Sequence, residues 1–167
     1  VKVLKKYPFQ ETEATIYGNV VHEAIELYIR DGKPIPEKYA QFKPVVDSFL
    51  AKPGRKFAEY EMALTKDLKV CNWGSPNAWV RGIADVLSID DENLTAWCGD
   101  WKTGNNRYPD RDQLVLMSLM IFQHFPHIRK VNSALIFIVK NDMVRMQMTR
   151  DQAEQWWWKY RERLAKL

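Results

Sequence analysis

The sequence has little cysteine and no long apolar run, and these two absences exclude several classes of protein. Its 167 residues include only Cys71 and Cys98, too few and too far apart for a disulfide framework or a four-cysteine zinc or iron–sulfur site. No apolar stretch approaches the roughly 18 residues that a membrane-spanning helix needs. No secretory signal is visible, although the sequence begins at Val1 rather than methionine, so whether a segment precedes it stays open. We therefore expect a reduced cytoplasmic protein that does not contact a membrane.

The sequence also lacks a strong charge of either sign. It has 25 Lys and Arg against 21 Asp and Glu, a net charge of +4, which permits an anionic partner such as nucleic acid without requiring one. The length is that of one domain, and the hydrophobic content of 46% is enough for a sizeable core without disulfides or a structural metal. We expect residues 1–167 to form a single domain.

Hydrophobic periodicity predicts an α/β domain with a central mixed β-sheet flanked by helices. A helical period is found in residues 15–29, 37–50 and 110–125, and again after residue 149, where Thr149 or Asp151 is a plausible N-cap. Strand-like alternation is found in residues 57–65, 78–89, 94–102, 133–139 and 143–149, with Asn141-Asp142 as a tight turn. The first three strands should form an antiparallel meander.

The strongest chemical signal is a pair of aspartates on neighbouring predicted strands. If these strands are antiparallel, with a turn near residues 90–93, then Asp85 and Asp100 lie opposite one another at the same end of the sheet. Two close carboxylates repel unless a proton or a cation lies between them, and Mg²⁺ prefers such oxygen ligands. Lys102 should share a face with Asp100, because side chains alternate along a strand. Taken singly, these residues are also typical of a turn acid and a surface ion pair.

The first predicted helix carries polar residues along one side. Gly18, His22 and Glu26 are spaced four residues apart, so they stack along one face. Neutral imidazole is a competent metal ligand, although a histidine on an apolar helix is more often bonded to a carbonyl in the core. On the first strand, Glu59 and Glu61 should share a face. We expect Glu61 to reach a metal through water and Glu59 to be solvated.

Together these segments resemble the ordered motif series of the RecB-like branch of the PD-(D/E)XK nucleases, from residue 18 to about residue 122. The resemblance implies a restriction-endonuclease-like core and a site that binds Mg²⁺ or Mn²⁺ through His22, Asp85, Asp100 and the carbonyl of Trp101. It also implies that Lys102 is the catalytic lysine. Supporting positions would be Glu26, Glu61 and Gln113. The segments that carry the resemblance are Gly18-x-x-x-His22-x-x-x-Glu26, Gly82-x-x-Asp85, Asp100-Trp101-Lys102-Thr103-Gly104 and Gln113.

Two departures from the family pattern refine this expectation. The family's Gln-x-x-x-Tyr element is Gln113-x-x-x-Met117 here, so a tyrosine contact to DNA is missing or comes from another residue such as Tyr108. The cysteines that bind an iron–sulfur cluster in some relatives are absent. The chain looks like the small, cluster-free type found in phage or bacterial recombination and repair.

The expected function is hydrolysis of DNA phosphodiester bonds by a metal-dependent nuclease, an exonuclease if the resemblance holds. A helix N-terminus favours anions, and we expect Gln113 with Arg81, Arg107 and Arg111 to contact single- or double-stranded DNA. The expected setting is the cytoplasm of a bacterium or of a phage-infected cell, with a second copy or a recombination protein as an open partner. The alternatives are a non-catalytic DNA-binding or recombination-accessory module, and a metal-dependent hydrolase of small phosphoesters.

Three consecutive tryptophans lie in the last predicted helix. At about 100° per residue they span roughly 200° of its circumference, so one helix face cannot bury all of them. At least one should be partly exposed. Either two belong to the core and the third to its rim, or the exposed ring makes a base-stacking or subunit contact. The three residues are Trp156, Trp157 and Trp158.

Overall fold

The computed structural model describes residues 12–166, with the side chain of residue 164 left undescribed. The helices are α1 (Glu13–Asp31), a 3₁₀ helix (Glu37–Phe42), α2 (Lys43–Leu50), α3 (Arg111–His124) and α4 (Arg150–Ala165). The strands are β1 (Arg55–Leu64), β2 (Val80–Asp90), β3 (Thr95–Lys102), β4 (Lys130–Phe137) and β5 (Asp142–Thr149). None of the helices in the described part of the chain is long and apolar enough to cross a lipid bilayer.

The five strands form one mixed sheet in the order β1-β2-β3-β4-β5. Strands β3 and β4 are parallel and the other neighbours are antiparallel. Because parallel neighbours need a crossover connection, α3 links them across one face. The predicted fold class, a single α/β domain with a helix-flanked mixed sheet, is confirmed.

Each face of the sheet packs against its own set of helices. One buried cluster, the α3 core, joins the sheet to α3 and α4 and includes Leu87, Leu119, Val131 and Trp157. The other, the α1 core, joins it to α1 and α2 and includes Val21, Phe49, Val86 and Trp101. Every residue from 114 to 122 is buried, because α3 is enclosed between the sheet and α4.

Local signals set the ends of the helices. Thr12 caps α1 by accepting a hydrogen bond from the backbone N–H of Thr15, and the helix ends at Gly32 with a left-handed φ of 70°. Thr149, one of the two predicted caps, immediately precedes α4. Its N–H donates to Oε1 of Gln152, as in the backward half of a capping box.

Two local predictions were wrong. The stretch 37–50 is not one helix but a 3₁₀ helix followed by α2, and Pro44 lies in the first turn of α2, where its missing N–H costs nothing. The connection from β4 to β5 spans residues 138–141 rather than a tight Asn141-Asp142 turn. Asn141 has a φ of 53°, and Asp142 is already the first residue of β5.

Two glycines offer a matched test of backbone geometry. At Gly54, with a φ of 119°, an added Cβ would lie 2.5 Å from the carbonyl oxygen of Ile89, whereas at Gly32, with a φ of 70°, nothing lies within 4 Å of it. Gly32→Ala should therefore cost only the left-handed strain of about 1 kcal/mol. Gly54→Ala should lower the free energy of unfolding by at least twice as much, because backbone must also move. Urea unfolding of both variants measures the difference, and equal losses would contradict the packing at Gly54.

Candidate active site

The candidate site is the point at which β2 and β3 stop pairing. The last cross-strand pair joins Val86 to Gly99, so the same register places Asp85 opposite Asp100. Both aspartates are buried, with 2% and 3% of their surface exposed. In place of a strand-to-strand bond, the backbone N–H of Trp101 donates to Oδ2 of Asp85 at 2.9 Å. The structure therefore brings together the two acids that the sequence pairs.

Strand β2 is kinked at Asp85. In a regular strand Ala84 and Val86 would share a face, but Ala84 packs in the α3 core and Val86 in the α1 core. The alternation of side chains therefore shifts by one residue here, and Asp85, at the shift, contacts His22 of α1.

Strand β1 has a matching kink directly across from Asp85. Phe57 and Tyr60 both pack against the α3 core although they are three residues apart. Between them Glu59 has a left-handed φ of 49°, and it is the one position that the otherwise constant register of β1 and β2 skips. Left-handed backbone is unfavourable for a residue with a side chain and is typical of functional sites.

His22 connects α1 to this kink. Its Nδ1 lies 2.7 Å from the carbonyl oxygen of Gly18, and its Nε2 lies 3.2 Å from Oδ2 of Asp85. A carbonyl oxygen only accepts, so Nδ1 carries the hydrogen, and in a neutral ring Nε2 presents a lone pair to the carboxyl group. Two acceptors at this distance repel, so a proton or a cation belongs between them.

The pKa shifts show where that proton goes when no cation is bound. Burial lowers the pKa of His22, but the hydrogen bond and the charge of Asp85 outweigh burial, so the pKa lies above its ordinary value of 6.5. Burial, followed by the charge of Asp100, raises the pKa of Asp85. His22 and Asp85 therefore both favour their protonated forms more than they do in water.

Lys102 holds Asp100 in its charged form. Its Nζ lies 2.7 Å from Oδ2 of Asp100, and the two side chains share one side of β3, as predicted. Burial opposes ionisation of Asp100, but the Lys102 charge and contacts with Asp85 and Lys102 contribute to a net lowering of the pKa of Asp100. The side chain of Lys102 is 29% exposed, so its ammonium group lies at the boundary between the buried acids and solvent.

Gly18 allows α1 to lie close to the chain that follows β3. A Cβ at Gly18 would lie 3.0 Å from Oγ1 of Thr103, tighter than an ordinary contact. Thr103 belongs to the motif that follows Asp100, but its contact with α1 was not predicted. The signal for this contact was Gly18, the small residue one turn before His22.

The donors present fit a hard divalent cation. Oδ1 of Asp85 is buried and has no hydrogen-bond partner among residues 12–166, and such atoms are rare in folded proteins without a ligand or water. Asp100 and the Nε2 lone pair of His22 add an oxygen and a nitrogen donor beside it. The backbone of Trp101 passes next to Asp85, so its carbonyl is a fourth candidate.

These donors are not arranged as a preformed metal cluster. Within the described residues, no three His, Cys, Asp or Glu side chains are already placed to hold a metal ion. In this conformation Oδ2 of Asp100 is paired with Lys102, and Oδ2 of Asp85 accepts from Trp101.

Two of the predicted supporting acids are turned to other partners or to solvent. Oε1 of Glu26 lies 2.5 Å from Nη1 of Arg30, one turn further along α1. Glu61 is exposed and pairs with Ile83 rather than Asp85. The register places Glu59, which we expected to be solvated, across from Asp85, so Glu59 rather than Glu61 is the acid of β1 that lies opposite the site. A groove of about 420 Å³ between β1 and the end of α1 includes Glu59 and Glu61 in its lining.

The predicted DNA-contacting arginines differ in their surroundings. Arg81 donates from Nε to the carbonyl of Trp73 at 2.6 Å and from Nη2 to that of Ser75 at 3.0 Å, so it organises the loop between β1 and β2. The sequence analysis expected the Arg81 guanidinium to contact DNA and did not predict its contact with this loop. Arg107 and Arg111 are exposed on the approach to α3.

Two further predicted residues lie near the start of α3. Tyr108 is 87% exposed, so its ring is available to a ligand. Gln113 lies in the first turn of α3, and its Oε1 is buried without a hydrogen-bond partner in the described part of the chain. Gln113 thus lies at the N-terminal end of α3, just after the loop that connects β3 to α3.

The tryptophans of α4 divide as the helical period requires. Trp157 is buried in the α3 core, Trp156 packs partly against it, and 74% of Trp158 is exposed. The expectation of at least one exposed ring is confirmed.

Comparison of the sequence with models of protein families finds no match, and comparison with curated proteins finds no significantly similar sequence. The functional interpretation therefore depends on the residues and geometry of the site itself.

The contact between His22 and Asp85 predicts a pKa change on substitution. In chelator-treated protein, Asp85→Asn removes the carboxylate that raises the pKa of His22, while burial, which lowers it, remains. We expect the pKa of His22 to fall below 6.5 in a proton–nitrogen NMR titration of the imidazole rings.

His124 is the internal control for this titration. Its pKa is lowered by burial, its Nε2 lies 3.2 Å from the backbone of Ala63, and it belongs to α3 on the other face of the sheet. The pKa of His124 should be equal in the two proteins. An unchanged His22 pKa in the Asp85→Asn variant would contradict the proposed contact.

Proposed function

We propose that this chain is a metal-dependent nuclease of the RecB-like PD-(D/E)XK type that hydrolyses DNA phosphodiester bonds. One observation carries the proposal: Asp85 and Asp100 are buried beside one another where β2 and β3 separate, and the Lys102 ammonium lies 2.7 Å from Asp100. Burying a carboxylate costs free energy unless a cation or hydrogen-bond donors compensate for the lost hydration. A divalent cation is such a partner.

His22, Asp85, Asp100 and the carbonyl of Trp101 are the proposed ligands of Mg²⁺ or Mn²⁺. The cation, when bound, would polarise the scissile phosphate and lower the pKa of a bound water, so that the water could lose a proton and attack the phosphorus. Without a cation, the two negative carboxylates would repel the negatively charged phosphodiester. The raised pKa of Asp85 fits this role, since it favours a proton at the position for which a cation would compete.

Lys102 is the proposed catalytic lysine. Asp100 fixes its ammonium group at the solvent boundary of the site, where it can orient the attacking water or offset charge that develops on the phosphate. An ammonium group has three donors and no lone pair when charged, so it does not bind a cation. The proposed roles of Asp100 and Lys102 are therefore separable by experiment.

The loop after β3 is the proposed DNA contact. It presents the exposed side chains of Arg107, Tyr108 and Arg111 in front of α3, where helix N–H groups add a positive dipole. Arginines there would bind phosphates, and Tyr108 could stack on a base. Gln113 is the candidate for a polar contact from the first turn of α3.

The proposed activity is exonucleolytic, in recombination, repair or phage DNA processing. Its setting would be the cytoplasm of a bacterium or of a phage-infected cell, where such DNA is handled. A second copy or a recombination protein remains a candidate partner.

Incubation with three DNA substrates tests the activity directly. The protein with Mg²⁺ or Mn²⁺ is mixed with circular single-stranded, circular duplex and end-labelled linear DNA. An exonuclease degrades only the linear substrate, and excess EDTA should abolish cleavage because the acids alone repel phosphate. Cleavage that persists in EDTA would refute the metal mechanism, whereas DNA binding without cleavage would favour a non-catalytic module.

Substitution of single residues separates the ligands from the lysine. Asp85→Ala and Asp100→Ala should weaken Mn²⁺ binding and cleavage together, because hard cations depend on charged oxygen ligands. Lys102→Ala should leave Mn²⁺ binding equal or slightly tighter while single-turnover cleavage falls by about 100- to 1000-fold, as when one positioned electrostatic group is lost.

Calorimetry of Mn²⁺ binding beside single-turnover cleavage measures both effects. Lys33→Ala is the matched control, since Lys33 is exposed just beyond the far end of α1 from Gly18. It should change neither quantity. A Lys102→Ala protein that cleaves at the wild-type rate would show that Lys102 is an ordinary ion-pair partner of Asp100 and not a catalytic residue.

A further inference from the structure

The two edges of the sheet differ in how well they are protected against pairing with another chain. Strand β1 carries four charged residues, Arg55, Lys56, Glu59 and Glu61, and the left-handed backbone of Glu59 interrupts it. Charges and kinks of this kind are what proteins use to keep edge strands from pairing. Strand β1 is therefore an unsuitable edge for a partner.

Strand β5 is the opposite edge, and it lacks these protections. Between residues 143 and 148 its single charged residue is Arg145, and the segment Met-Val-Arg-Met-Gln-Met contains neither proline nor glycine. All eight of its residues pair with β4 on one side in a continuous register, and in the sheet formed by residues 12–166 no strand lies on the other side. A regular edge with few charges is a template for an added strand.

A groove of about 330 Å³ runs beside this edge, between β5 and α4. Its accessible apolar surface comes from Met146 and Trp156, which are side chains of the types that adapt to and anchor bound peptides. Met148 forms the floor of the groove and is only 2% exposed. The polar surface is mainly glutamine amide, from Gln147 and Gln155 among others, which can both donate and accept hydrogen bonds.

Among residues 12–166, Lys159 is the one charged residue in the lining of this groove, and no aspartate or glutamate lines it. The Nζ of Lys159 lies 5.2 Å from the centroid of the Trp156 ring, so the cation and the aromatic surface adjoin. A segment that binds here is therefore expected to place an acidic side chain over Lys159, with apolar side chains against Met146 and Trp156.

We infer that the β5–α4 groove binds an acidic, extended segment of a partner protein, which adds a strand to β5. A second copy of the chain fits less well, since it would bring the same Arg145 and Lys159, and the one acid of its β5, Asp142, lies at the end of the strand and already accepts from Asn106. Nucleic acid fits less well too, because tracking a phosphate backbone needs several cations and the groove supplies one. This inference does not depend on the proposed nuclease activity.

Selection from a random library of twelve-residue peptides displayed on phage is the test. Peptides enriched on the wild-type protein are synthesised with a fluorescent label, and their affinity is measured by anisotropy. We expect alternating apolar residues, at least one acid and no central proline. Lys159→Glu should weaken binding at least tenfold, and so should Gln155→Glu, because each puts an acid into the groove.

Both substituted residues are exposed, and circular dichroism checks that the variants fold. Lys33→Glu is the matched control, with the same charge change at a site outside the groove, and it should leave peptide affinity within twofold of wild type. Hydrogen exchange should show new protection of the β5 amides on peptide binding, which a side-chain contact alone would not give.

Three outcomes would overturn the inference. The first is that no selected peptide depends on Lys159. The second is that an oligonucleotide displaces the peptides from the groove, which would assign it to nucleic acid. The third is that sedimentation shows a dimer that Gln155→Glu dissociates, which would assign the groove to a second copy. A nuclease assay on the same variants is independent, so loss of peptide binding with cleavage intact is the expected pattern.

Discussion

The separation of β2 from β3 is the constraint on which the site depends. Where the backbone ladder ends, the carboxyl group of Asp85 takes the place of a backbone acceptor and receives the N–H of Trp101. A buried N–H that lacked this partner would cost about 1–3 kcal/mol. The same carboxyl group faces His22 and Asp100, so the interaction that completes the sheet also places acceptors where a proton or a cation can bind.

Residues at the site also position helix α1, which carries His22. Gly18 contributes twice, because its carbonyl orients the ring of His22 and its missing side chain leaves room for Thr103. Trp101 follows Asp100 directly and packs edge-on against Phe49 of α2 at 6.4 Å between ring centroids. Alternate residues of β3 therefore serve the α1 core and the acid pair, and a shift of one residue in β3 would disrupt both.

The sequence was sufficient to predict the fold class, the five strands and the cross-strand relation of Asp85 to Asp100. These features follow from periodicity and from the rule that antiparallel neighbours meet at a fixed register. For His22, two alternatives were considered, a bond to a carbonyl and a functional contact; the structure has the carbonyl bond to Gly18 together with the contact to Asp85, since the two ring nitrogens are distinct.

The kinks could not be predicted, because alternation assumes regular strands. The alternation put Glu59 and Glu61 on one face and so could not choose between them, and no local signal marks the left-handed backbone at Glu59, since glutamate is not a residue that favours positive φ. The role of Arg81 could not be predicted either, because its acceptors are backbone carbonyls in a loop whose sequence shows no periodicity. Both failures concern backbone geometry rather than residue chemistry.

The burial of α3 follows from its place in the fold. Eight large apolar side chains between residues 114 and 122 are buried between the sheet and α4, and fully burying one such side chain contributes about 1.5–3 kcal/mol. The amphipathic pattern expected of a surface helix is absent from this stretch because every residue of it is buried. The acids of the site, each of which costs several kcal/mol to bury even after the protein relaxes, thus lie in a sheet whose other face has a large apolar core.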